Sequence, residues 1–147
     1  MAKKAVRIGI VAASSPYSQE IATRVERLAA GLFPENPPEL IVHPNSFRTH
    51  GHFAGTDSER AAAFLEIAND PDIDALWFAR GGYGACRMAD AALEGLKSAA
   101  RDKIYLGYSD AGVLLAGLYK AGYSVAHGPM CQDIVRDGGD AAIERAL

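Results

Sequence analysis

Cysteine is scarce in this sequence: Cys86 and Cys131 are the only two, and neither lies in a CxxC pair or a His/Cys cluster. That spacing suggests neither a zinc site nor a disulfide framework, and a reducing, cytoplasmic setting is the simplest expectation. No apolar run approaches the roughly 20 residues that span a bilayer. The opening MAKKAVRIGIVAASSP superficially resembles a signal peptide, but Arg7 interrupts its apolar stretch, and a first β-strand accounts for it better. With a formal charge of −3 and no basic stripe interleaved with aromatics, the chain is not expected to bind nucleic acid. The first loop also lacks the G-x-G-x-x-G that lets a backbone approach a pyrophosphate: it reads GIVAASSP. No Walker A lysine follows, so NAD, FAD and ATP are disfavoured and no cofactor or metal is expected.

What the sequence does contain is a regular alternation. Its 147 residues, 49% hydrophobic and 22% charged, suit one globular domain. Short apolar runs at 5–13, 39–44, 73–79, 103–108 and 123–129 read as strands. Between them, helical spacing predicts helices over 18–32, 56–70, 88–99 and 111–122, and a last one begins at 139. Thr56 and Glu59 form a capping-box pair at the head of the second helix, and Pro71 closes it. Five buried strands alternating with helices predict an α/β fold, a doubly wound and mainly parallel sheet of about five strands with helices on both faces.

Ligands of such sheets gather beyond the carboxyl ends of the strands. Two loops there are suggestive. In RGGYG, Gly81, Gly82 and Gly84 tolerate positive φ and can aim N–H groups at a developing oxyanion; a tight strand-to-helix connection is the commoner reason for glycines in such a loop and the favoured one from the residues alone. In GYSDA, Ser109 stands between a strand and a helix, with Gly107 two before it and Ala111 two after. Small flanks are what a nucleophile elbow needs, while a helix cap by Ser109 or Asp110 is the competing explanation. A serine nucleophile needs a base. The four histidines are His43, His50, His52 and His127. Of these, His127 ends the strand beside Ser109 and is the first candidate, but no Ser/His/acid set assembles convincingly from them.

Taken together, IGIVAASSP, HFAGTDSERAAAFLEIANDPDIDALWFARGGYGACRM and LGYSDAGVLLAGLYKAGYSVAHGPM resemble the LD-carboxypeptidases, serine peptidases acting on murein peptides. The resemblance implies that Ser109 is the nucleophile and that the backbone N–H groups of Gly82 (in preference to Gly81) and Asp110 form the oxyanion hole. It leaves Gly81, Tyr83 and His127 as substrate-binding candidates. The implied reaction cleaves the amide between an L-centred di-amino acid and a terminal D-alanine of cytoplasmic muropeptide tetrapeptides, during peptidoglycan recycling. An immunity branch of the family hydrolyses a peptide–nucleotide antibiotic instead, and a non-catalytic module binding a small ligand is the alternative of a different class. Family enzymes carry a second, C-terminal domain with the Glu and His of the triad. Neither maps here, so residues 1–147 are expected to be the N-terminal nucleophile domain, inactive alone, and the ending AAIERAL fits a domain junction. Such a domain is expected to leave an apolar face around Tyr17, Phe53, Tyr83, Tyr108 and Met130, either exposed or hidden in a homodimer.

Overall fold

A computed structural model describes residues 4–147. Five strands, β1 (Arg7–Val11), β2 (Glu39–Val42), β3 (Ala75–Phe78), β4 (Ile104–Gly107) and β5 (Ser124–His127), form a single sheet in the order β2-β1-β3-β4-β5. Every pairing is parallel. The helices are α1 (Gln19–Leu32), α2 (Asp57–Ala68), α3 (Ala85–Glu94), α4 (Gly112–Lys120) and α5 (Gly139–Ala146). This is the predicted doubly wound α/β architecture.

Side chains of a strand alternate between faces, and the central strands divide the core accordingly. Val11, Leu76 and Phe78 pack with Phe64 of α2, Met88 of α3 and Leu114 of α4 on one face. Ile10, Ala12 and Trp77 pack with Val25 of α1 and Ile143 of α5 on the other. A strand buried on both sides has no polar alternation, which is why these segments read as continuous apolar runs.

The capping box forms as expected: the Glu59 N–H donates to Thr56 Oγ1 at 3.2 Å, and the Thr56 N–H donates to Glu59 Oε2 at 2.8 Å. Two local expectations differ. The third helix starts at Ala85, directly after the glycine turn and ahead of the expected residue 88, because Ser14 and Asp110 supply distant acceptors for the N–H groups of Gly84 and Ala85. The segment after β5, left unassigned by periodicity, holds a 3-10 turn over Cys131–Val135. Its Cys131 and Ile134, three residues apart, are buried in the core under α1 and α5; one turn is too short to give a periodic signal.

Candidate active site

Parallel strands bring their carboxyl-end loops to one edge, and the loops of β3 and β4 meet there. Gly107 ends β4 pressed against Phe78: a Cβ at this position would lie 2.9 Å from the Phe78 ring and 3.4 Å from the Ala111 Cβ. Tyr108 is extended, and Ser109 then turns back with φ +55°, the only positive φ at a non-glycine among the described residues. For an L-residue that conformation costs about 1–2 kcal/mol. The helical turn Ser109–Ala111 runs directly into α4. The small flanks therefore have the steric role that an elbow requires.

The competing cap does not form. No side chain caps the turn at Ser109 or the start of α4. Asp110 instead reaches across to α3, where its Oδ2 accepts the Ala85 N–H at 2.9 Å. Ser109 is exposed and faces the glycine turn: a Cβ built on Gly81 would stand 3.4 Å from Ser109 Oγ.

Gly82 has φ +144°, and any Cβ there would run into the hydroxyls of Ser14 and Ser15. The Gly81 carbonyl accepts the Ser15 N–H at 3.2 Å, which turns it toward the loop of β1. In a trans peptide the next N–H points the opposite way. The Gly82 N–H is thereby turned away from the loop of β1, and both Gly82 and Ser109 line one cleft. Ser14 completes the arrangement by accepting the Gly84 N–H at 2.7 Å.

Beneath these loops lies Arg60, fully buried. It donates to the carbonyls of Ala13 at 2.9 Å, Gly55 at 2.8 Å and Gly84 at 3.1 Å, and to Asp57 Oδ1 at 2.6 Å. One guanidinium thus joins the loops after β1, β2 and β3. Its sequence signal was an arginine on the apolar face of α2, in register with Phe64 and Ile67.

Ser109 lines a cleft of about 400 Å³ together with Ser15, Arg80, Tyr83, Gln132 and Arg136. On its floor the Tyr108 hydroxyl donates to Asp133 Oδ1 at 2.8 Å, and the Met130 N–H donates to Asp133 Oδ2 at 2.9 Å. Burial, then the Asp133 carboxylate, raises the Tyr108 phenol above its ordinary pKa, so it stays protonated and is no base at neutral pH.

The histidines are scattered. His43 lies at the end of β2, 2.6 Å from Glu66. His50 and His52 line a separate hollow with Phe53, Asp57 and Arg87. His127 packs edge-on against Tyr108 at 5.9 Å and borders a neighbouring cavity with Asp137 and Gly138. None lines the Ser109 cleft. Of the five residues expected to form an apolar face, Tyr17 and Met130 are buried, and Tyr17 stacks on Phe47. Phe53 lies under the Arg60 guanidinium at 4.7 Å. Only Tyr83 is largely exposed, at 88%, so these residues make no continuous patch. Among the described residues no cluster of His, Cys, Asp and Glu suits a metal ion, and no helix is long and apolar enough to cross a membrane.

Comparison with known proteins gives a consistent family. The profile described as "LD-carboxypeptidase N-terminal domain" matches residues 8–128. The chain is 38% identical over 134 residues to "Putative carboxypeptidase SCO6489" of Streptomyces coelicolor, covering 87% of this chain and 41% of that one. It is 34% identical over 79 residues to the murein tetrapeptide carboxypeptidase of Pseudomonas aeruginosa, covering 54% of this chain and 26% of that one. Among solved structures, the microcin C7 self-immunity protein MccF in its apo state superposes with a TM-score of 0.73 at 25% identity, covering 97% of this chain and 43% of that one. The chain thus spans less than half the length of each of these relatives.

Proposed function

The chain belongs to the LD-carboxypeptidase N-terminal domain family, and from that premise we propose that it supplies the nucleophile and oxyanion hole of a serine peptidase. Ser109 Oγ attacks the scissile carbonyl and gives its proton to a base. The carbonyl oxygen becomes an oxyanion that accepts from the N–H groups of Gly82 and Asp110, with the start of the Ser109–Ala111 turn adding its partial positive charge. Collapse of this intermediate expels the amine and leaves an acyl group on Ser109, which water then hydrolyses. The single observation that carries the reading is the positive φ of Ser109 on a two-sided small-residue hinge, facing the Gly81–Gly82 turn. Strain of this kind persists only where the surroundings enforce it.

The histidine and glutamate that activate Ser109 come, in this proposal, from a second domain following residue 147. The substrate is a muropeptide tetrapeptide of the cytoplasm, cut before its terminal D-alanine during cell-wall recycling. A second reading, immunity to a peptide–nucleotide antibiotic, is favoured by the 36% identity over 92 residues to the microcin C7 self-immunity protein of Escherichia coli. The test is to assay the full gene product for D-alanine release from an L,D-tetrapeptide and for cleavage of an acyl-sulfamoyl nucleoside. Release of D-alanine that Ser109→Ala reduces by at least about 10³-fold supports the first reading. Cleavage of the nucleoside conjugate alone moves the assignment to the second. Activity that survives Ser109→Ala contradicts both.

A further inference from the structure

Resting on the reading that Ser109 opens an amide next to a chain terminus, we propose that Arg80 binds the free α-carboxylate of the residue that leaves, and so makes the site an exopeptidase. Arg80 immediately precedes the Gly81–Gly82 turn and lines the same cleft as Ser109. The cleft's charged side chains are Arg80, Asp133 and Arg136. Asp133 is already committed: it takes the Tyr108 hydroxyl, the Met130 N–H and the Arg136 Nε at 3.1 Å. Its charge offsets that of Arg136. Arg80 has no carboxylate within ion-pair distance among the described residues; its one hydrogen bond is from Nη1 to the Pro16 carbonyl at 3.2 Å. A guanidinium offers five N–H donors in a planar fork. Most of this fork is free, on the wall of a cleft with no other uncompensated cation.

The Gln132 N–H donates to the Ala79 carbonyl at 2.9 Å, which holds Gln132 beside the root of Arg80 on this wall. A peptide cut before its last residue carries a carboxylate one Cα from the scissile amide. Backbone bond lengths put that carboxylate carbon within about 4 Å of the scissile carbonyl carbon, so the carboxylate of a reacting peptide shares the Ser109 cleft with the Arg80 guanidinium. The planar fork also matches two carboxylate oxygens, as an ammonium does not.

The experiment compares two peptides that differ only at the C-terminus, free acid and primary amide, as substrates of the full gene product. The readout is the ratio of kcat/KM for acid over amide. The wild type is expected to prefer the acid, and Arg80→Gln to reduce that ratio by about 10- to 100-fold, the loss of a charge-assisted hydrogen-bonded pair. Arg80→Lys should restore part of the ratio, and Arg136→Gln should keep it. Arg80 is exposed, so thermal melts of the variants should match the wild type. Equal losses on both peptides in Arg80→Gln, a wild type indifferent to the terminus, or collapse of the ratio in Arg136→Gln instead would each overturn the assignment while leaving the peptidase reading intact. A wild type that cleaves neither peptide overturns the peptidase reading and this assignment with it.

Discussion

The loops after β3 and β4 and the segment after β2 treat their polar groups in opposite ways. Around RGGYG and GYSD, the supporting groups are paired: Ser14 with Gly84, Asp110 with Ala85, Arg60 with three carbonyls and Asp57. Ser109 and Gly82, the residues to which the proposal gives chemistry, both line the cleft. After β2 the chain carries three of its four histidines, yet His43 is held by Glu66 and the others border a hollow away from Ser109. The lesson is that, under the proposed function, the chain pre-organises one half of a catalytic site: Ser109 has a positive φ beside the Gly81–Gly82 turn, and among the described residues no histidine lines its cleft.

The largest effect on the organised half should come from Arg60. Replacing it by Ala strands the carbonyls of Ala13, Gly55 and Gly84 and leaves Asp57 without its buried partner. A loss of about 3–5 kcal/mol is expected in urea unfolding, and Arg60→Lys should recover little, because an ammonium cannot reproduce the fork. A shift below 1 kcal/mol would show that the loops do not depend on this residue.

Next come the two adjacent glycines, which should respond differently. Gly82→Ala forces a side chain into φ +144° and against two hydroxyls, so both stability and activity should fall, with a stability cost of about 1–3 kcal/mol. Gly81→Ala meets only contacts of ordinary length. It should melt like the wild type, yet impair turnover, since its methyl group would face Ser109 Oγ. Parallel melting curves and rates on the two variants check this, and similar behaviour of both would blur the distinction between them.

These responses also mark what was legible in the sequence. The five strands, the capping box and the position of Ser109 were, because each has a local signature: β-branched runs, a Thr-x-x-Glu spacing, a serine between small residues. The roles of Asp110, Ser14 and Arg60 were not. Each acts on a partner distant in sequence, 25 residues away for Asp110–Ala85 and 70 for Ser14–Gly84, and periodicity carries no information about such pairs. The expected apolar face failed for a related reason. A large apolar side chain in a loop reads as exposed, whereas Tyr17 and Met130 are buried.

A smaller effect isolates the strain itself. Ser109→Gly and Ser109→Ala both remove the hydroxyl, but only glycine is at ease at φ +55°. After the entropy cost of glycine in the unfolded chain, Ser109→Gly should be the more stable by about 0.5–1 kcal/mol. The reverse order in a thermal melt would mean that the elbow stores no strain.

The smallest effect should be a pH dependence below the elbow. Hydrogen bonds from Arg87 and then Arg60 hold the Asp57 carboxyl below its ordinary range. A depressed carboxyl contributes stability that is present above its unfolded value of about 4 and is lost as pH falls through the folded one. Asp57→Asn should therefore flatten the acid limb of stability against pH. An unchanged limb would place the acid sensitivity elsewhere, for instance at Glu59, which the Thr56 N–H holds down in the same way.

The contrast between the two halves is tested most directly by assaying residues 1–147 alone beside the full gene product for D-alanine release from an L,D-tetrapeptide. The expected result is turnover by the full product and no more than a trace from residues 1–147, because a nucleophile without its base loses most of its rate enhancement. Robust release by residues 1–147, abolished by Ser109→Ala, would contradict the account. It would mean that a base lies within this chain, with His127 the first residue to mutate.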